Sequence, residues 1–174
     1  EYVEGWSNNK ALEIYNPTSN SIDLSAYMVI RYSNGSTSAS SSNAVQLSGS
    51  VDAYSVHVGV LEKLDANGTG QEAPIWDSLQ AKADAYYCPE YNTSNAWYFN
   101  GNDALVLAKG SISDIANSVV VDIFGKIGED PGDAWTAEFP YTGAGAEVTK
   151  DHSMIRKANI QSGETNPVIS FFDP

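Results

Sequence analysis

The sequence of 174 residues predicts an all-β domain made of two packed antiparallel sheets. Runs in which apolar and polar residues alternate dominate the chain, and this period of two is typical of half-buried strands. Turn-forming residues (Asn, Gly, Ser and Pro) separate these runs at short intervals. Only one stretch has the spacing of three and four between apolar residues that indicates a helix. Together these observations favour an all-β fold with one short helix.

The clearest strands are predicted at residues 10–16 and 27–33. In the first strand Leu12 and Ile14 share one face, because successive side chains of a strand point to opposite sides. Both runs are rich in β-branched and aromatic residues, which suit a pleated surface. Pro17 ends the first strand, since proline has no N–H to donate to a strand ladder.

Shorter alternating runs predict the remaining strands. They lie at residues 1–4, 44–47, 54–61, 97–99, 104–108, 119–124 and 153–157, and an apolar tail follows at 167–174. Residues 100–103 (NGND) are typical of a tight hairpin turn between two of these runs. The alternation in 54–61 predicts that His57 points outward. The expected core consists of Leu12, Ile14, Ile30, Val56, Val58, Leu105, Leu107, Val121 and Ile123.

Residues 75–87 are the predicted helix, with Trp76, Leu79 and Ala83 three or four positions apart. Pro74 suits the first turn of a helix, and Cys88-Pro89 would end it. The helix belongs to a long segment, residues 36–95, that begins with a serine-rich loop. We expect it to cover an open end of the sheets.

The charge balance restricts the classes of partner. The chain has 9 basic and 22 acidic residues and a net charge of −13. A surface of this sign repels phosphate backbones and attracts cations, so direct binding of nucleic acid is disfavoured. No apolar run reaches the length of a membrane span, so no membrane insertion is expected. The chain opens inside an apparent strand, and we therefore expect it to be a segment of a longer multidomain protein.

Motifs for catalysis are not found in the sequence, which contains no zinc-ligand spacing, phosphate-binding loop or nucleophile elbow. The single cysteine, Cys88, excludes a disulfide within the chain and is expected to be a buried structural thiol. A nucleophile would need a base, and only His57 and His152 are available. We therefore expect no enzymatic activity and no cofactor.

Two groups of residues are candidates for binding. Trp6, Trp97, Tyr98 and Trp135 have flat rings that could stack on a sugar or an aromatic ligand. The alternative for these four is packing in the core and at its rim. Glu129, Asp130 and Asp133 crowd one turn and could bind Ca²⁺, which takes carboxylate and carbonyl oxygens. The turn lacks the regular Asp/Asn spacing of a calcium loop, so a solvated turn is the alternative.

Four segments, in this order and at these intervals, resemble the lamin tail domain as it occurs in bacterial secreted proteins. They are KALEIYNPTSNSIDLSAY, NGNDALVLAKG, VVVDIFGKIGEDPGDAW and DHSMIRKANI. The resemblance extends over residues 1–174, and it implies a single domain with an immunoglobulin-like β-sandwich. It also implies an accessory module, often beside extracellular nucleases and hydrolases, that tethers, positions or binds for its neighbours.

Three functions from different classes remain open at this point. The resemblance favours a non-catalytic extracellular or cell-surface module that binds a protein or a surface glycan. The second is a carbohydrate- or calcium-binding module, which an exposed aromatic strip would favour. The third is a hydrolase, which a cleft with His57 or His152 beside a carboxylate would favour.

Overall fold

Short extended segments carry most of the regular structure in the computed structural model, which describes residues 1–166. The predicted tail at 167–174 lies outside the described residues. The strands are β1 Tyr2–Glu4, β2 Lys10–Tyr15, β3 Ile22–Asp23, β4 Tyr27–Tyr32, β5 Ala44–Gln46, β6 Ser50–Val51, β7 Val56–Leu61, β8 Ala85–Tyr87, β9 Ala104–Lys109, β10 Val119–Phe124 and β11 Ser153–Met154. The prediction of an all-β fold class is confirmed.

Helical structure is limited to short pieces over the same residues. The α-helix α1 contains only Asp77–Gln80. Single 3₁₀ turns or short 3₁₀ segments lie at Leu24–Ala26, Ser33–Gly35, Ser41–Asn43, Gly70–Glu72 and Ile112–Asn117. None of the helices in the described part of the chain has the length and apolar character needed to cross a membrane.

Two main sheets organise the strands. One has five strands in the order β11-β1-β2-β7-β8, and the other has four in the order β10-β9-β4-β5. Strands β3 and β6 form a separate small pair. Neighbouring strands are antiparallel, except that β8 runs parallel to β7. In the five-stranded sheet Leu12 pairs with Gly59, and in the four-stranded sheet Val29 pairs with Leu107.

The two sheets share one apolar core. Tyr2 and Leu61 from the five-stranded sheet belong to the same buried cluster as Val29 and Leu105 from the four-stranded sheet. Trp97 is fully buried in this cluster, and its indole nitrogen donates to the carbonyl of Gly59 at 3.1 Å. Because the hydrophobic effect grows with buried apolar area, this shared cluster is the main stabilising contact between the sheets.

The outer faces of both sheets are also covered. Ile75, from the segment that leads into α1, packs with Ala11 and Val60 on the outer face of the five-stranded sheet. The 3₁₀ segment Ile112–Asn117 contributes Ile112 and Ile115 to the cover of the four-stranded sheet. Strands in the middle of each sheet are therefore buried on both sides, as in sheets whose two faces are packed.

The predicted helix at 75–87 is wrong over most of its length. Only Asp77–Gln80 is α-helical, and Ala85–Tyr87 is strand β8. Asp84 explains why a strand replaces the predicted helix here. Its carboxylate accepts a hydrogen bond from the backbone N–H of Val58 at 2.8 Å, and its own N–H donates to the carbonyl of Val58. These bonds align the next residues with β7, and tertiary contacts override the local helical spacing.

The predicted orientation of β7 is also wrong. His57 is buried, whereas Val56 is 39% exposed. His57 and Leu61 face the shared core, while Val60 packs on the outer face with Ile75. Alternation cannot reveal the core side of a strand when both of its faces are covered.

The rest of the expected core is buried to different degrees. Ile30, Leu105 and Ile123 are buried as predicted, and the half-buried members are Leu12, Ile14, Val58, Leu107 and Val121. The predicted hairpin of strands 97–99 and 104–108 with a turn at 100–103 is wrong, because residues 97–99 form no strand, whereas the second strand is present as β9. The aromatic residues there fill the core from a loop, so their burial does not depend on strand pairing.

Candidate functional site

An exposed tryptophan lies on the loop between β1 and β2. The side chain of Trp6 is 70% exposed. The loop is tight, since Gly5 N–H donates to the carbonyl of Asn9 at 2.8 Å. The ammonium of Lys10 donates to the carbonyl of Gly5 at 2.7 Å and pairs with Glu4, and both of these charged side chains are buried. The backbone that carries Trp6 is thus anchored at both ends.

A second exposed tryptophan, Trp76, is joined to this loop through one amide group. Asn9 is 3% exposed, and its side-chain Nδ2 donates to the carbonyl of Trp6 at 2.7 Å. Its Oδ1 accepts from the backbone N–H of Trp76 at 2.8 Å. Trp76 itself is 57% exposed, next to the buried Ile75. Two exposed indoles are therefore carried on backbones that bind the same buried side chain.

The neighbouring asparagine strengthens this connection. Asn8 is also buried, and its Nδ2 donates to the carbonyls of Gln71 and Ala73 at 3.0 and 2.7 Å. Ser7, between Trp6 and Asn8, has a positive φ of 61°. This conformation is uncommon for a residue other than glycine, and such strain is often found at functional sites. We call Trp6, Trp76 and the two asparagines that hold them the Trp6/Trp76 platform.

The other sequence-predicted aromatic residues do not join the platform. Trp97 and Trp135 are 0% and 1% exposed. The indole nitrogen of Trp135 donates to the carbonyl of Asp103 at 3.1 Å, so this ring is fixed in the interior. Tyr98 is half-buried and packs edge-on against Tyr91. Of the four candidates, only Trp6 presents most of its ring to solvent.

Sequence reasoning did not select Trp76 as a binding residue. Its spacing to Leu79 and Ala83 assigned it to the apolar face of a helix that the structure does not form. No local signal in the sequence identifies it, because the contact that connects it to the Trp6 loop runs through Asn9, 67 positions away. Asn8 and Asn9 are themselves buried because their amides satisfy backbone groups.

A polar groove of about 400 Å³ lies beside the start of β7. It is lined by His57, Asp52 and Asp84 together with the serines Ser48, Ser50 and Ser55. The Nε2 atom of His57 and the hydroxyl of Tyr87 lie 3.1 Å apart, and Asp84 is bonded to the backbone of β7. Burial lowers the pKa of His57, and the Asp84 carboxylate opposes this shift. The groove could accept hydrogen bonds from a small polar ligand.

The hydrogen bonds within residues 1–166 do not assemble a nucleophile in this groove. His57 is bonded to Tyr87, and the serine hydroxyls that line the groove are not bonded to it. The other histidine, His152, is exposed, and its Nδ1 contacts the carbonyl of Lys150 at 2.5 Å. A Ser–His or Cys–His pair requires direct contact between nucleophile and base.

The buried ionisable groups near Trp97 have structural partners. Arg31 donates to the carbonyls of Asn95 and Tyr98 at 3.0 and 2.6 Å and lies 3.3 Å from a carboxylate oxygen of Asp103. Burial raises the pKa of Asp103, and Arg31 opposes the shift. Cys88 is buried, and this burial raises the pKa of its thiol, which disfavours the reactive thiolate.

The acidic turn, Glu129, Asp130 and Asp133, is balanced by its surroundings. Lys126 pairs with Glu129, and Lys150 lies 3.8 Å from Asp133. Asp130 accepts from the backbone N–H of Gly132 at 2.9 Å. Among the residues that the structure describes, no three His, Cys, Asp or Glu side chains form a group that could hold a metal ion.

Asp122, the remaining carboxylate of interest, fastens the C-terminal segment to the free edge of β10. Its Oδ1 accepts from the guanidinium of Arg156 at 2.7 Å and from the backbone N–H of Glu164 at 2.8 Å. The N–H of Ile123 donates to the carbonyl of Glu164 at 2.8 Å. These contacts give Asp122 a structural role, since covering an edge strand prevents pairing with another chain.

Within residues 1–166, the polar groove and the platform both carry groups suited to a ligand. Comparison with models of protein families, with curated proteins and with solved structures finds no match to the chain.

Proposed function

We propose that the chain is a non-catalytic accessory module of a bacterial secreted or cell-surface protein and that it binds a surface partner through the Trp6/Trp76 platform. The observation that carries the proposal is the pair of exposed indoles on backbones that share the amide of Asn9. Aromatic side chains on a fixed backbone lose little conformational freedom on binding, and they are common anchors at binding surfaces.

The finer fold in this proposal is an immunoglobulin-like β-sandwich of the lamin tail kind, with residues 1–174 as one domain of a longer protein. The core that two largely antiparallel sheets share supports a sandwich. The parallel β7–β8 pair is an addition to the antiparallel sandwich. It follows from the long segment between these strands, which also supplies Trp76.

The absence of catalysis in this proposal is supported by the bonds of the ionisable groups. His57 is bonded to Tyr87, Asp122 to Arg156, and Asp103 faces Arg31. Residues that act as acids or bases need a substrate within hydrogen-bond reach, and these groups instead contact protein partners. The net charge of −13 supports a partner other than nucleic acid.

A co-sedimentation assay tests the binding part of the proposal. Purified bacterial cell-wall sacculi are mixed with the chain, and the bound fraction is measured after centrifugation. We expect saturable binding, and Trp6→Ala and Trp76→Ala should each weaken it about tenfold, since one aromatic contact contributes roughly 1–2 kcal/mol. Tyr54→Asn is the matched control, because Tyr54 is 65% exposed and lies near the start of β7, away from the platform.

The same preparations test the catalytic part. We expect no hydrolysis of DNA, RNA or a phosphodiester chromogenic substrate, with or without divalent cations. Metal-dependent turnover that disappears in Asp122→Asn or Asp133→Asn would contradict the proposal. Turnover without metal that disappears in His57→Gln would instead support the hydrolase hypothesis. Sacculus binding that is equal in the tryptophan variants would contradict the role of the platform.

A further inference from the structure

We infer that the ligand of the Trp6/Trp76 platform is a neutral glycan. This inference rests on the proposed function, because it names the ligand class of the same surface. The reasons are the exposed rings, the local charge balance and the exposed polar side chains close to the rings in sequence, and each is independent of the others.

The rings supply the apolar part of the recognition. Trp6 and Trp76 expose 70% and 57% of their surface, although Trp76 directly follows the buried Ile75. A sugar ring has an apolar face of C–H groups, and a flat indole buries that face without requiring a deep pocket. Single exposed hydrophobic residues are ordinary, whereas here the backbones of two exposed tryptophans are fixed by the same buried amide, which lowers the conformational freedom lost on binding.

The charges around the platform favour an uncharged ligand over an ionic one. The loop and the segment that carry the tryptophans, residues 4–10 and 71–80, contain four charged side chains. Glu4 is paired with Lys10 and Glu72 with Lys63 at 2.6 Å. Asp77 therefore remains as the one local charge without an ion pair in these ranges. A polyanion would be repelled by it and by the net charge of −13. The same net charge attracts a polycation to the chain as a whole, but the platform offers that ligand only one unpaired carboxylate.

Exposed polar side chains close to the tryptophans in sequence supply directional contacts. Ser7, Asp77 and Ser78 are exposed and lie within two positions of Trp6 or Trp76. Hydroxyl groups both donate and accept, and a carboxylate accepts from two sugar hydroxyls at once. A neutral glycan offers hydroxyl donors and acceptors together with apolar ring faces. This combination matches what the platform presents.

Affinity electrophoresis tests the inference with defined probes. The chain is run in native gels that contain hydroxyethylcellulose, laminarin, galactomannan or dextran, and in a gel with anionic polygalacturonate. We expect retardation by at least one neutral polysaccharide and none by polygalacturonate. Trp6→Ala and Trp76→Ala should each raise the apparent Kd about tenfold, and the double variant should run as in a gel without glycan.

Control variants separate loss of binding from loss of fold. Trp6→Phe and Trp76→Phe keep a flat ring and should retain part of the retardation, and Tyr54→Asn should retain all of it. Thermal unfolding of each variant verifies that it is folded. Calorimetry with poly-L-lysine tests the cationic alternative, for which we expect no tryptophan-dependent heat.

Two outcomes would overturn the inference. One is retardation by no neutral polysaccharide, and the other is equal retardation of wild type and the double variant. If sacculus binding still depends on Trp6 and Trp76 in the first case, the module binds another surface ligand and only the glycan assignment fails. If sacculus binding is also independent of the tryptophans, the proposed function fails with it.

Discussion

The loop that carries Trp6 and the acidic turn at Glu129–Asp133 are both exposed, and both contain residues that the sequence marks as candidates. They are held in different ways. Asn8 and Asn9 connect the Trp6 loop to residues 63 to 67 positions away in the chain. In the acidic turn Asp130 bonds to a residue two positions away, and Glu129 pairs with Lys126 three positions away.

This difference separates a prearranged surface from a solvated one. The Trp6 loop is tied to buried polar groups, which make strong contacts because water does not compete for them. The acidic turn is held by two partly exposed lysines and by an exposed hydrogen bond of 2.7 Å from the amide of Asn102 to the carbonyl of Gly132, and such contacts are weak in water. A ligand therefore finds exposed rings on a fixed backbone in the first region and already compensated charges in the second.

Replacing one lysine in each region should give the largest difference in the free energy of unfolding between the two regions. Lys10→Met leaves the buried Glu4 carboxylate without its cation and frees the carbonyl of Gly5. We expect the free energy of unfolding in urea to fall by about 3–5 kcal/mol, because an uncompensated buried charge is costly. Lys126→Met removes a partly exposed ion pair, and we expect it to change the free energy of unfolding by about 0.5 kcal/mol or less. Equal losses in the two variants would contradict the distinction between these regions.

An asparagine exchange should have the next largest effect. Asn9→Ala leaves the N–H of Trp76 without its partner, and the carbonyl of Trp6 keeps only the longer bond of 3.4 Å from the backbone N–H of residue 9. We expect a loss of about 2–3 kcal/mol of unfolding free energy, since unsatisfied buried polar groups are expensive. Tryptophan fluorescence should also become easier to quench with iodide. Asn67→Ala, at an exposed loop position, is the control and should be nearly neutral. A stable Asn9→Ala protein with unchanged quenching would show that the shared amide does not order the indoles.

Replacing His57, which lines the polar groove, should have a smaller effect on stability than the changes at the platform, and this effect should depend on pH. Burial lowers its pKa in the folded protein below the unfolded value of 6.5. The folded state then binds fewer protons, so the contribution of His57 to stability is complete above pH 6.5 and is lost as the pH falls below it. The slope for one such group is at most about 1.4 kcal/mol per pH unit. Urea unfolding of His57→Gln between pH 5 and 7 should show a smaller slope of unfolding free energy against pH than wild type. Identical slopes in wild type and His57→Gln would contradict the burial effect.

Much of the fold follows from local sequence, and the strand pattern is the reason. Runs that are rich in β-branched and aromatic residues and are bounded by turn-forming residues indicate β2, β4, β7, β9 and β10, because such side chains suit a pleated sheet. Alternation fails at His57, where both faces of the strand are covered and the pattern gives no direction. It also fails at Ala85–Tyr87, where Asp84 and β7 impose pairing on residues that have helical spacing.

The candidate site is less predictable than the fold. Trp6, Trp97 and Trp135 have the same ring chemistry, and the sequence offers no local signal that two of them are buried. Their burial depends on where loops enter the shared core. The segment of Trp76 is connected to the Trp6 loop through Asn8 and Asn9, by contacts across 63 to 67 positions that no local pattern encodes. A site whose residues are connected by long-range hydrogen bonds can be identified only once the folded structure is known.

The acidic turn supplies the smallest expected effect. Glu129 and Asp133 already have lysine partners, and Asp130 accepts a backbone hydrogen bond, so few free oxygens remain for an ion that takes six to eight. A site with a Kd of about 10 mM would add only about 0.06 kcal/mol at 1 mM calcium, whereas one of about 10 μM would add about 2.7 kcal/mol and raise the Tm by several degrees. We therefore expect nearly equal Tm values in EDTA and in 1 mM calcium. Saturable heat of calcium binding that is abolished in Asp130→Asn/Asp133→Asn would show instead that this turn, like the platform, is a prearranged site.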